Sequence, residues 1–419
     1  MTTKIQKFDI TILCKVVDNF GDIGFVLRLA REIIALCGER LPLASTATAV
    51  SATPSSGESP ATPPVLPNIR IVSDNLKSFS LLEPKINPTL DVQNVNGCKI
   101  FNWNADAACL SEFRKNPPQI ILECFQCGRP DWLENLLFTG KVPNIVNIIM
   151  IDYLTAEDYA ETFHKLKSLT RSARVQKVNF MPGFTPKTGG LIFNSQESEF
   201  SEKKSSNNFN AIMFGYPRDY SPILRSLEKF AKTLKKDGKK LNILLAQGAG
   251  FKSFKKAYAC KSDFYAQNAV SSSNNISLTE LPFLPQTEWD NMLFKSDILF
   301  IRGEDSLSRA CLSGIPFLWH AYPQTEEYQL VKVNALLEQM KPHFSAEDFC
   351  TLQKCWQLYN TTEVNGTDLE NALDAFLQKY NSLCKGFKSF SKSLFENGNF
   401  AEHLLEFIFS KYKEYYADF

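Results

Sequence analysis

A chain of 419 residues, 44% hydrophobic and 22% charged, has the composition of a globular protein, and at roughly 150 residues per domain it is expected to form two or three domains. Its 46 lysines and arginines nearly cancel its 45 aspartates and glutamates, so no overall field would draw it to nucleic acid or to an anionic membrane. Nowhere is there an apolar stretch of about 18 residues, and the run from Ile10 to Val17 is too short and broken for a signal peptide; a cytoplasmic protein is expected.

Phe8 to Val17 reads as a buried strand, ended by the loop Asp18-Asn19-Phe20-Gly21-Asp22-Ile23-Gly24. Val26, Leu27, Ala30, Ile33, Ile34 and Cys37 then recur at helical spacing up to Gly38, which makes a strand, glycine loop and helix in Rossmann-like order. Residues 42–67 turn abruptly to alanine, serine, threonine and proline. Such a stretch cannot bury enough apolar area to offset its ordering entropy, and it reads as a disordered insertion. Gln119 to Phe125 and Asn144 to Ile151 look like further buried strands, and the polar run Ser195 to Asn208 like a linker or surface loop.

The second half alternates more clearly. Strands are expected at Asn210 to Gly215, Leu241 to Ala246, Ile276 to Leu284, Ile298 to Ile301 and Pro316 to His320. Helices are expected at Ile223 to Leu234, Trp289 to Phe294, Asp305 to Leu312 and Glu326 to Met340. A last amphipathic helix, Leu394 to Tyr416, should pack back on the body. Alternation in both halves implies two α/β lobes, each with a parallel sheet covered on both faces.

The eleven cysteines are odd in number and irregularly spaced, and read as reduced thiols. Cys124 and Cys127 form a lone CxxC, and the four histidines lack ligand spacing, so neither a metal nor a cofactor is expected. Parallel sheets hold ligands at the carboxyl ends of their strands, and two loops stand out there. The loop from Asp18 to Gly24 departs from the dinucleotide fingerprint by carrying two carboxylates, which repel phosphate and suit a cation or a proton; the competing reading is a helix cap. In Ile301-Arg302-Gly303-Glu304-Asp305-Ser306, a helix N-terminus and Arg302 suit a phosphate. There Asp305 or Ser306 would supply an ordinary cap, which leaves Arg302 and Glu304 surplus.

Phe214-Gly215-Tyr216, Gly248-Ala249-Gly250 and Pro282-Phe283-Leu284-Pro285-Gln286 end other strands of the second half. Aromatic faces and the Gln286 amide would suit a nucleobase, although Tyr216 and Phe283 could equally be core. No two aspartates are separated by a single residue. A sugar transferase built this way would stabilise its leaving diphosphate with Arg302 and helix amides in place of a cation.

At these residues the sequence resembles the EarP family of elongation factor P arginine rhamnosyltransferases. The resemblance runs through Cys14 to Gly24, Arg28-Leu29-Ala30-Arg31, Phe184 to Ile192, Phe214 to Tyr216, Pro282 to Gln286, Ile301 to Ser306 with Arg309, and Gly314 to Gln324. It implies a GT-B fold of two Rossmann-like lobes facing a central cleft: an acceptor lobe over residues 1–190, a nucleotide-sugar lobe over 191–385, and a helical segment over 386–419. It implies metal-independent transfer of L-rhamnose, with inversion, from dTDP-β-L-rhamnose to an arginine of elongation factor P. The roles it carries over are Asp22 as general base, Asp18 as its partner in orienting the guanidinium, and Glu304 as a further essential carboxylate. Asn19, Phe20, Gly21, Tyr216, Phe283, Gln286, Arg302, Asp305 and Ser306 match donor-pocket positions. Two departures are the 42–67 insertion and Phe25-Val26-Leu27, where the family commonly has a tryptophan. Competing readings are another GT-B transferase, a Rossmann epimerase or dehydrogenase, which the missing GxGxxG disfavours, and a non-enzymatic clamp on a translation factor.

Overall fold

The computed structural model describes residues 8–17, 20–39, 67–140, 145–194, 207–267 and 275–416. Asp18, Asn19, nearly all of the 42–67 insertion and most of the Ser195 to Asn208 linker lie outside the described residues.

The first lobe runs β1 (Phe8–Cys14), α1 (Gly21–Glu39), β2 (Pro67–Ser73), α2 (Leu76–Leu82), β3 (Val92–Val95), β4 (Cys98–Asn102), α3 (Asp106–Lys115), β5 (Ile120–Cys124), α4 (Asp131–Phe138), β6 (Val146–Ile151), α5 (Tyr159–Phe163), β7 (Lys167–Ser168) and β8 (Val175–Asn179). Its sheet has the order β3-β4-β2-β1-β5-β6-β8-β7. The six inner strands are parallel, while β3 and β7 pair antiparallel at the two edges, so the expectation of an all-parallel sheet fails at its rims. There the short hairpin returns leave no room for a crossover helix.

The second lobe continues with β9 (Asn208–Met213), α6 (Ser221–Lys236), β10 (Lys240–Leu245), α7 (Phe251–Gln267), β11 (Ile276–Glu280), α8 (Gln286–Lys295), β12 (Ile298–Arg302), α9 (Glu304–Ser313) and β13 (Phe317–His320). These five strands form a fully parallel sheet, β11-β10-β9-β12-β13. The helices α10 (Gln329–Met340), α11 (Ala346–Asn360), α12 (Gly366–Gln378) and α13 (Tyr380–Glu396) complete the lobe. Their buried faces, with Trp356 and Tyr359 at the centre, join its core.

Topology decides where ligands can sit. In the first sheet the chain goes from β1 to β2 on one side and later returns to β5 on the other; in the second it goes from β9 to β10 and returns to β12. Each reversal opens a crevice at the carboxyl end of the central strand. The first turn of α1 borders the first crevice, and the turn from β12 into α9 borders the second.

The last helix of the described fold, α14 (Phe400–Tyr416), crosses back. Phe400, Leu404, Leu405 and Ile408 are buried in the same core as Phe8, Ile10 and Phe180 of the first lobe. The predicted helix from Leu394 is therefore two helices, and the proposed segment boundary at 385/386 falls inside α13, which packs in the second lobe. The break comes at Asn397-Gly398-Asn399, where Gly398 takes φ 87°. That left-handed turn favours glycine, and it lets Phe400 N–H donate to Leu191 O at 2.9 Å.

Candidate active site

Two cavities lie between the lobes and share Gly21 and Asp305 in their walls. One is lined by Phe20, Gly21 and Gly24 from the first lobe and by Phe283, Gln286, Arg302, Asp305 and Ser306 from the second. The other brings Asp22 of α1 to the same space as Glu304 of α9, with Phe25, Phe125 and Tyr153 around them.

Each position follows from local chain geometry. Asp22 is buried, and its Oδ2 accepts the backbone N–H of Val17 at 2.7 Å, which ties the loop after β1 to the first turn of α1. At α9 the N-cap is Gly303, φ 74°, with no side-chain cap hydrogen bond. Asp305 and Ser306 thus do not cap the helix as the simpler sequence reading has it, and both Glu304 and Asp305 face the cleft from its first turn. The Ser306 hydroxyl accepts Trp289 Nε1–H at 3.3 Å.

Arg302 is buried at the end of β12, its guanidinium carbon 4.5 Å from the Phe214 ring centre and 4.8 Å from that of Tyr216. Stacking of this kind fixes a guanidinium plane without consuming its N–H donors. Tyr216 is not in the cavity wall; it reaches the site through Arg302. Its own N–H donates to His320 Nδ1 at 3.2 Å. Burial, then the cations Arg218 and Arg302, push His320 down to about 3, so the imidazole is a neutral acceptor.

Phe283 is partly exposed and meets Phe20 of the other lobe, ring centroids 4.7 Å apart. Gln286 lines the cavity, but the amide that sequence reasoning assigned to a nucleobase edge bridges the lobes here. Its Nε2–H donates to Gly24 O at 2.6 Å, and its Oε1 accepts from Arg31 at 3.1 Å.

Several lining residues escaped the sequence reading. Phe125 and Gln126, after β5, both hold left-handed backbone, φ 57° and 51°, a conformation that costs a non-glycine residue on the order of 1 kcal/mol or more. The twist presents Phe125 to the cavity, stacked on Tyr153 at 4.7 Å and 24° and edge-on to Phe25 at 5.3 Å. Nothing in the sequence pattern announces such strain. Arg28 and Arg31 stood in the motif, but the partners that tie them to the second lobe, Asp290, Asp305 and Gln286, lie more than 200 residues away.

Two Rossmann-like lobes that enclose such paired cavities at facing strand ends define the GT-B fold, the architecture of many glycosyltransferases. A family model described as Elongation-Factor P (EF-P) rhamnosyltransferase EarP matches residues 10–50 and 66–409, and the chain belongs to that family. Among similar proteins is the protein-arginine rhamnosyltransferase of Shewanella oneidensis, 29% identical over 359 residues, covering 80% of this chain and 82% of that one. The protein-arginine rhamnosyltransferase of Neisseria meningitidis serogroup B is 27% identical over 414 residues, covering 95% and 96%. The solved structure giving the structural basis for EarP-mediated arginine glycosylation of translation elongation factor EF-P shares the fold at TM-score 0.53 and 18% identity, covering 96% of this chain and 99% of that one.

Proposed function

We propose that this enzyme transfers L-rhamnose from dTDP-β-L-rhamnose to an arginine of translation elongation factor P in the cytoplasm, with inversion and without a metal. The observation that carries the reading is the meeting of Asp22 and Glu304, from opposite lobes, in one cavity that adjoins a second with an arginine and a helix N-terminus in its wall. Family membership supports rhamnose as the sugar and elongation factor P as the acceptor.

An arginine is a poor nucleophile, since its pKa lies far above neutrality and full deprotonation at neutral pH would cost on the order of 9 kcal/mol. A carboxylate cannot hold that equilibrium, so proton loss accompanies C–N bond formation. Asp22 accepts the proton as the bond forms, and Asp18 helps it orient the guanidinium. The planar cation would lie against the Phe125–Tyr153 pair, whose faces attract it while the carboxylates hold its edge. On the other side, the diphosphate leaves toward Arg302 and the first amides of α9. Phe20 and Phe283 enclose the base, Tyr216 holds the Arg302 guanidinium in place, Asn19, Gly21, Gln286, Asp305 and Ser306 complete the donor pocket, and Glu304 faces the developing oxocarbenium charge. Acceptor and leaving group on opposite sides of the Gly21–Asp305 seam suit a single in-line displacement, hence inversion.

Mass spectrometry of elongation factor P after incubation with this protein and dTDP-β-L-rhamnose tests the proposal. One added deoxyhexose on an arginine is expected, and an unmodified factor in the presence of intact donor would refute it.

A further inference from the structure

Arg28 takes no part in the chemistry just described, yet it makes four hydrogen bonds from one lobe to the other. It stands one turn along α1 from Gly24, with its side chain largely buried. Its Nη1 and Nη2 donate to the two oxygens of Asp290 on α8, at 2.5 and 3.1 Å. Its Nε and Nη2 donate to the two oxygens of Asp305 on α9, at 3.1 and 3.0 Å. Burial works against this charge, but Asp290 and Asp305 outweigh it and hold the arginine well above its usual pKa.

The two carboxylates are not equally dependent on it. Asp290 also has Arg309 within 3.9 Å. For Asp305, Arg28 is the one ion-pair partner among the described residues. Asp305 is in the wall of the cavity that contains Arg302 and the amides of α9. A helix N-terminus offers a phosphate roughly half a positive charge, which one uncompensated carboxylate in the same turn would more than cancel. The cation that removes this repulsion comes from the opposite lobe.

We propose that Arg28 is the positioning residue that makes donor binding conditional on lobe closure: by neutralising Asp305 it turns the α9 terminus into a diphosphate site only when α1 is docked. This rests on the donor reading above. A second link of the same kind runs through Gln286, 2% exposed, whose amide joins Gly24 and Arg31 to the donor wall. The helices approach closely at position 24, where a Cβ would stand 3.3 Å from Asp305 Oδ2 and 3.4 Å from Gln286 Nε2, so a larger side chain there would crowd both links. The sugar nucleotide is thereby gripped by a pocket whose charge is correct only when the acceptor carboxylate Asp22, on the same helix, is already in place.

Calorimetric titration of dTDP into the full chain and into R28Q, D305N and R28Q/D305N tests this. R28Q is expected to weaken dTDP binding at least about tenfold. The double variant should bind as D305N alone does, within about threefold, because with the carboxylate gone there is no charge left to neutralise. Single losses that multiply in the double variant, or an R28Q protein with unchanged affinity, would overturn the proposal. R28K keeps the charge but not the fork, so it separates electrostatics from packing: binding clearly tighter than R28Q is expected, and a loss equal to that of R28Q overturns the charge argument. A wild-type protein that does not bind dTDP would bring down the donor reading together with this one, whereas wild-type binding with multiplying losses brings down this one alone.

Discussion

His320 offers a quantitative check on the donor lobe. It ends β13, buried, and its ring packs edge-on against Tyr216 at 5.3 Å and Tyr359 at 5.5 Å while Nδ1 accepts the Tyr216 N–H. Burial and the neighbouring Arg218 and Arg302 lower its pKa from the usual 6.5 to about 3. Between those values the unfolded chain binds a proton that the folded protein refuses, so stability falls as pH drops from 6.5 toward 3 and is unaffected by this group above 6.5. At about pH 5 the gap already spans about 1.5 units, worth roughly 2 kcal/mol at about 1.36 kcal/mol per unit. His320→Asn keeps an acceptor for the Tyr216 N–H and removes the titration. Urea unfolding of both proteins at about pH 7.5 and about pH 5, followed by tryptophan fluorescence, isolates the difference, since every other titrating group cancels between them. The wild type should lose about 2 kcal/mol more than the variant on acidification. Equal losses, within about 0.5 kcal/mol, would refute the account of His320 as a neutral support of the donor wall.

Replacing Asp22 with Asn preserves an acceptor for the Val17 N–H but removes the base; turnover should fall about 10²- to 10⁴-fold with dTDP affinity intact, and near-normal kcat would remove Asp22 from the mechanism. Phe125→Leu should raise the acceptor KM about fivefold to tenfold with little change in dTDP affinity, in line with the loss of a partly buried cation–π contact; an unchanged acceptor KM would detach the strained aromatic pair from acceptor binding. Gly398→Ala forces a Cβ onto a φ of 87° and to within 2.6 Å of the His403 ring, which should destabilise the protein by about 1–3 kcal/mol in chemical denaturation. A variant as stable as wild type would contradict the proposed strain at the crossover.

The features that were legible in the sequence share one property: their signal is local. The loop into α1 and the turn into α9 announce themselves by glycines and carboxylates at the end of apolar runs, and the second sheet by regular alternation. The β3–β4 hairpin carried an equally local cue, Asn96-Gly97, both left-handed in the fold at φ 49° and 82°, and it went unread because the strands it joins are only 4 and 5 residues long. The helices α11 to α13 were missed for a different reason. Their apolar positions, such as Leu369, Leu373 and Phe376, follow helical spacing, but no glycine loop or strand frames them. What could not be read was pairing at long range: Arg28 with Asp290 and Asp305, Gln286 with Gly24, and the left-handed turn that delivers Phe125. These depend on how two lobes dock, and a linear pattern holds no record of that.

The return of α14 to the first lobe also bears on how the molecule is made. During synthesis the β1 sheet emerges before the second lobe, yet the apolar slot beside Phe8 and Phe180 stays open until residues 400–408 leave the ribosome. The first lobe is thus the first begun and the last finished. Anyone wishing to isolate it would have to graft the 400–416 helix onto it, because Phe400, Leu404, Leu405 and Ile408 complete its core.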